Sequence, residues 1–422
     1  MEKEIGIEVF VTKAKGVGGK IKKEPEDFIV EEVSIYPPPS NGRYVIARVK
    51  ARNWEMNRLI EKLAYSLKIS PNSIGYAGIK DKRAITTQIM SFPVSIEKLK
   101  NVKIPDVEID ILYKSSKPVY SGKLIGNRFH IVIRDVEAGE EDVKKVMHEI
   151  EELALMPNFF GVQRFGIARP ITHLVGKYIL KNDFERAVMT YIAHPIKGED
   201  EESYEARKFL EETRDFEEAL KLYPKKLVFE RRIIEHLALH PNEWKEALLK
   251  LPKNLVRIFL HAYQSYLFNK ILSRRIKKGL PLSEAVEGDI VILWENDMVI
   301  QSNEGIKVNK GNKEKINKQI KRGKCFPSAA IYGYDLLKAE GEMREIEEEI
   351  AREEGISEEE FKMPHMPEFA CKGMRRVIAV PLKNIKWKFD GKNLYLSFFL
   401  PKGCYATSLL REIMKAEDIF SY

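Results

Sequence analysis

The most reactive pattern in the chain is one carboxylate set among cations. In GYAGIKDKRAITTQ (Gly75 to Gln88) a short apolar run ends at Gly78, and Asp81 then stands between Lys80, Lys82 and Arg83. Adjacent cations favour the ionised carboxylate and lower its pKa. Such a group can act as a nucleophile or stabilise charge, while the flanking cations hold phosphates. The plain alternative is an Asp-Lys turn between two strands. A second pattern is MPNFFGVQRFG (Met156 to Gly166), with three phenylalanines beside Asn158, Gln163 and Arg164. Aromatic faces next to amide and guanidinium groups can stack a splayed base and read its edges. A loop anchored in a core by buried aromatics has the same composition. A third, IKKEPEDFIVEE (Ile21 to Glu32), places a lysine before a Pro-Glu-Asp turn and a strand. By itself it reads as an ordinary turn.

Other chemistries find no support. GVGGK (Gly16 to Lys20) lacks the P-loop spacing, and no G-x-G-x-x-G follows a strand, so the usual dinucleotide or methyl-donor loop is missing. His236 and His240 stand four apart, but the HExxH pattern needs a Glu where Leu237 is. The clusters Glu347 to Glu349 and Glu358 to Glu360 read as exposed helix faces, not as glycosidase acids flanking a substrate from separate elements. Cys325, Cys371 and Cys404 are odd in number and far apart, which suits neither a disulfide framework nor a CxxC metal pair. Neither metal nor cofactor is expected.

The elements that must carry these residues divide the 422-residue chain into three stretches. FIVEEV (Phe28 to Val33), RYVIARV (Arg43 to Val49) and RFHIVI (Arg128 to Ile133) have the composition of strands. Met56, Leu59, Ile60, Leu63 and Leu67 recur at helical spacing, as do Val143, Val146, Ile150 and Leu153. From about Pro170 to Pro367 helical periods dominate, and IVILWE (Ile290 to Glu295) is the main strand signal. The clearest helix there is NLVRIFLHAYQSYLFNKILSRRI (Asn254 to Ile276). Strands return in RRVIAVPL and NLYLSFFLP, followed by a helix in TSLLREIMKA. The lysine-rich run from Ile306 to Lys324 reads as a loop, either solvated or facing RNA. The acidic run from Ala339 to Gly355 reads as a solvated helix face.

Such a length suggests two domains or one with a large insertion, and strands flanking a helical middle favour an insertion into an α+β domain. Lys and Arg total 71 against 63 Asp and Glu, a net charge of +8 that suits a polyanionic partner. No apolar run reaches the ~18 residues of a membrane span, and the N-terminus lacks a signal-peptide pattern. A cytoplasmic protein without membrane contact is expected.

Five motifs together resemble the TruD family of tRNA pseudouridine synthases, close to its archaeal members. They are IKKEPEDFIVEE, AGIKDKRAITTQ, NFFGVQRFG, HAYQSYLFN and LPKGCYATSLLREIM, in family order from Ile21 to Met414. The resemblance implies an α+β architecture: a pseudouridine-synthase catalytic domain on a mixed, largely antiparallel sheet, in residues 1–169 and 368–422. It also implies a large inserted α+β domain, in about 170–367, with RNA held in a cleft between the two. It puts the catalytic aspartate at Asp81, with Lys22, Lys80, Asn158 and Phe160 as active-site support or substrate-binding residues. The implied partner is tRNA, modified at uridine 13, with no cofactor, no metal and no obligatory protein partner. A catalytically silent RNA-binding protein and an RNA methyltransferase are the competing readings.

Overall fold

The computed structural model describes residues 2–78, 80, 83–120, 122–196, 198–294, 300–382 and 385–416. The first third supplies β1 (Phe28–Ser34), β2 (Tyr44–Arg52), β3 (Gly75–Tyr76), β4 (Ile85–Phe92), β5 (Val107–Ser115) and β6 (Leu124–Ile133). Along β5, half-buried Val107, Ile109, Ile111 and Tyr113 alternate with exposed residues, the period-two signature of a strand with one covered face. Helix α1 (Met56–Leu67) follows β2, capped by the Glu55 carboxylate, which accepts from the Asn57 and Arg58 amides. Its buried face, from Met56 to Leu67, joins Val45, Val49, Met90 and Phe92 in a small satellite core. Helices α2 (Ile96–Lys100) and α3 (Glu140–Leu153) lead to the short β7 (Leu155–Pro157).

The middle begins with helices α4 (Thr172–Leu180), α5 (Phe184–Ala193), α6 (Glu201–Thr213), α7 (Phe216–Leu222), α8 (Val228–Leu239) and α9 (Trp244–Leu248). The 25-residue α10 (Lys253–Lys277) follows, and its buried positions run round most of its circumference, as expected of a helix packed on several sides. Gly176 lets α4 approach α10 closely, since a Cβ there would sit 2.0 Å from the Phe259 carbonyl oxygen. Next come β8 (Ile290–Leu293), β9 (Gln301–Ser302), β10 (Ile306–Lys307), helix α11 (Lys313–Lys321), β11 (Cys325–Ile331), helix α12 (Gly341–Glu354) and β12 (Met374–Val377). The chain ends with β13 (Ala379–Pro381), β14 (Lys386–Phe389), β15 (Leu394–Pro401) and helix α13 (Ala406–Met414).

The main sheet runs β14-β15-β6-β1-β4-β2-β5, with β3 paired to β4. Only β1 and β4 run parallel, so this sheet is mixed and largely antiparallel, as the family resemblance implied. A second sheet has the order β10-β8-β11-β12-β9.

Sequence and structure differ locally at three places. Residues 313–321 form a helix rather than a loop, because Ile316 and Ile320, four apart, are buried and anchor it. The strand CFPSAAI was not legible: Pro327 and small residues argue against a strand, yet all seven residues of β11 are buried in the middle of the second sheet. The IVILWE strand ends at Leu293, and Glu295 lies outside the described residues. The second sheet also crosses the expected boundary at residue 367, since β12 pairs with both β11 and β9.

Candidate active site

The first two motifs meet on the core-facing side of the main sheet. In β1, Phe28 and Val30 point into the core, and period-two alternation puts Glu32 on the same face. The Glu32 side chain is fully buried. Its Oε2 lies 3.1 Å from Lys80 Nζ, and Asn127 of β6, which pairs with Glu32 across the ladder, accepts from the same ammonium at 2.9 Å. Taking two charges out of water costs several kcal/mol per ion, a cost offset here by acceptors, Glu32 and Asn127, that strand register holds side by side. Burial, assisted by the Glu32 charge, pushes the Tyr36 hydroxyl up to about 12.

Lys80 lies between β3 and β4, at the entrance to the segment that carries the predicted aspartate. Asp81 and Lys82 lie outside the described residues. The surrounding frame is anchored: buried Ala84 accepts from the Asn53 amide, and β4 then pairs in parallel with β1, Val30 opposite Thr86. Residues 77–84 separate the two strands, more than a tight hairpin needs.

Lys22 adopts a left-handed backbone, φ 55°, which is uncommon for a residue with a side chain. Its ammonium sits 4.1 Å from the centre of the Phe28 ring, on the same core-facing side of β1. The turn behind it is fastened by Asp27, which is buried and pairs with Arg134 at 2.7 Å. The Asp27 carboxylate also accepts from the Glu24 amide. The Pro-Glu-Asp sequence is therefore a turn fastened to Arg134, shortly after Lys22 in the chain.

The other three motifs meet around Phe160. Asn269 of HAYQSYLFN clamps that residue: its Oδ1 accepts from the Phe160 amide at 2.9 Å, and its Nδ2 donates to the Phe160 carbonyl at 3.0 Å. Thr407 of the C-terminal motif lies so close that a Cβ on Gly161 would be 2.4 Å from its Oγ1, which explains the glycine after Phe160. Ser408 donates to the Phe159 carbonyl. Asn158 is fully buried and donates to the Val377 carbonyl at 2.9 Å.

Arg376, which the motif search missed, ties these pieces together. Its guanidinium donates to Asn158 Oδ1 at 2.7 Å, to the Gly403 carbonyl at 2.9 Å and to Gln301 Oε1 at 3.2 Å. No carboxylate pairs with it among the described residues, and burial lowers its pKa to about 10. Phe160 is 6% exposed and is bordered by Arg376, Phe268 and Tyr405, so most of its ring is enclosed. The only sign of Arg376 in the sequence is the pair Arg375 and Arg376 opening an otherwise apolar run, RRVIAV.

The two groups of motifs are neighbours. Asn127 of the Lys80 cluster pairs with Leu400 of β15, and the Lys402 amide donates to the Ile125 carbonyl. From there the chain reaches Gly403 and Tyr405, which border Arg376 and Phe160. The pairing of β1, β6 and β15 thus joins the two groups, with Lys22 at the Phe28 end of β1 and the Phe160 group beyond Pro401 of β15. Among the described residues no group of His, Cys, Asp or Glu has the arrangement of a metal site. No helix among them is long and apolar enough to cross a membrane.

Comparison with known proteins agrees with this geometry. Residues 4–413 match the family described as tRNA pseudouridine synthase D (TruD). The chain is 41% identical to a probable tRNA pseudouridine synthase D of Methanosarcina acetivorans, over 99% of this chain and 98% of that protein. It is 40% identical to one of Thermococcus sibiricus, over 96% and 97% respectively. The crystal structure of a putative tRNA pseudouridine synthase D from Methanosarcina mazei superposes with a TM-score of 0.88 at 39% identity, covering all of this chain and 98% of that one. With the match spanning nearly every residue, the chain belongs to the TruD family of tRNA pseudouridine synthases.

Proposed function

We propose that this protein isomerises uridine to pseudouridine at position 13 of tRNA, with Asp81 as its catalytic carboxylate. The observation that supports this most is that the pairing of β1, β6 and β15 joins five distant motifs into two neighbouring groups, around Lys80 and around Phe160. The N1–C1′ bond of the uridine breaks, the uracil turns, and C5 bonds to C1′. The C5 proton is lost and N1 gains one, so nothing is consumed overall. Asp81 either attacks the sugar or removes the C2′ proton to give a glycal-like intermediate; a single ionised carboxylate serves both routes. Lys22 keeps Asp81 in place and anionic. Lys80, held by Glu32 and Asn127, anchors the segment that carries it. Phe160 forms the aromatic wall of the uracil pocket, and Asn158 fixes the loop behind it.

The test is tRNA tritiated at uracil C5, incubated with pure protein and no additive. Release of tritium to water supports isomerisation. Binding without release would leave an RNA-binding protein of the same fold, and release only with S-adenosylmethionine would indicate a methyltransferase.

A further inference from the structure

The net charge of the molecule is concentrated in one place. Residues 310–324 contain seven lysines and arginines and one glutamate, a net of +6 out of the chain's +8, leaving +2 for the other 407 residues. Helix α11 organises this segment. Ile316 and Ile320 are buried, and Asn317 fixes the helix by exchanging two hydrogen bonds with the Ala285 backbone. The cationic side chains are exposed.

Among the described residues these charges are nearly all unpaired within the protein. The acidic helix α12 makes a useful contrast, because Glu353 and Glu354 pair with Arg274, Lys270 and Lys177. In residues 310–324 the only ion pair among the described residues is Lys321 with Glu284, at 3.4 Å. Lys315, Lys318 and Arg322, spaced three and four apart, form one stripe on the helix.

The segment is connected through strand pairing to the Asn158 loop. Asn158 donates its amide to the Ile378 carbonyl, and Ile378 donates to the Pro327 carbonyl. Lys324 stands three residues before Pro327, and its carbonyl accepts from the Trp294 amide at 2.7 Å. Two strand spacings of ~4.8 Å and three residues of ~3.4 Å separate the Asn158 and Lys324 backbones by about 14 Å. Helix α11 itself is ~14 Å long.

We infer that the exposed cationic stripe of α11 docks the phosphates of folded RNA, holding a part of the tRNA away from the reacting uridine. This rests on the proposed function for the identity of the RNA. A membrane surface fits poorly, because the apolar side of α11 is already buried and has nothing to insert into lipid.

The test is the triple variant Lys315→Gln, Lys318→Gln, Arg322→Gln in the full chain, which leaves the Lys321–Glu284 pair intact. A control, Lys208→Gln, Lys225→Gln, Lys250→Gln, removes the same charge from scattered exposed sites. Affinity for unmodified tRNA is measured against salt. Each lost phosphate contact flattens the log–log slope by about 0.7–0.9, so the stripe variant should flatten it by about 2–3 units. The control should leave the slope unchanged. An unchanged slope in the stripe variant, or equal flattening in the control, overturns the inference. Tritium release by the unaltered protein separates the two claims. Release with an unchanged slope removes only the docking surface; a flattened slope without release keeps the docking surface and removes the isomerase reading.

Discussion

The guanidinium carbon of Arg376 lies 4.0 Å from the centre of the Phe160 ring, while the same group holds Asn158 and Gly403 by hydrogen bonds. A cation so placed stabilises an aromatic ring electrostatically, the more so when desolvated. It also makes Phe160 answerable to two measurements. Phe160→Ala should lower the melting temperature, reflecting a loss of about 3–5 kcal/mol for a buried phenylalanine. If the ring also contacts the uracil, kcat/KM at a temperature where the variant is folded should fall by a further ~1–3 kcal/mol, the range for base–aromatic stacking. Phe160→Tyr should be milder in both. A lower melting temperature with normal activity in the cold would reduce Phe160 to packing.

Asp81→Asn should abolish turnover and leave the melting temperature and tRNA affinity nearly unchanged. The change is almost isosteric and removes a charge that phosphates would repel. Single-turnover tritium release checks it. Retention of more than roughly a few per cent of normal turnover is incompatible with an essential carboxylate.

The Lys80–Glu32 pair should behave as a coupled unit. Both side chains are almost fully buried, so removing Lys80 leaves the Glu32 carboxylate buried without its cation, at a cost of about 3–5 kcal/mol. Lys80→Met and Glu32→Gln should each lower stability to denaturant, and the double variant should recover part of the loss. Tritium release should not recover with it, because the segment ahead of Asp81 has lost its anchor. Additive losses in the double-mutant cycle would mean that the two side chains act independently.

Acid sensitivity should trace in part to His173. Burial lowers its pKa to about 4, with its ring stacked on Tyr266 and edge-on to Phe165. A histidine with a depressed folded pKa is neutral in both states above pH ~6.5. Below that value the unfolded chain takes up a proton that the folded chain resists, so stability falls until pH reaches about 4. One such group contributes about 3 kcal/mol across that window. His173→Phe, compared with the unaltered protein in denaturant titrations from pH 7 to 4, should flatten the dependence. Parallel curves would show that His173 protonates without cost.

Local preferences were enough to read a good part of this molecule. The stripe of Met56 to Leu67, the apolar positions of α3 and the long α10 are periodic, and a 3.6-residue period needs no knowledge of distant partners. The alternation in FIVEEV even held a signal that went unused: Glu32 follows Phe28 and Val30 onto the buried face, where a carboxylate requires a cation. Family motifs marked Lys22, Lys80, Asn158 and Phe160, although Phe160 turned out more enclosed than a free stacking surface.

Tertiary structure alone assigned the partners. Lys80 meets Asn127 because β6 pairs with β1 in one register, and a shift of one residue would turn Asn127 to the other face. Arg376 reaches Asn158 across 218 residues of chain, a separation at which no local pattern survives. β11 is a strand because its neighbours on both sides supply the hydrogen bonds, despite a proline that opposes it. The sequence offered a solvated reading for both charged runs, yet Glu349, Glu353 and Glu354 of α12 pair with cations of α10 whereas most cations of α11 face solvent. Charge is a property of composition. Whether it is compensated depends on which helix packs beside it, and only the folded chain decides that.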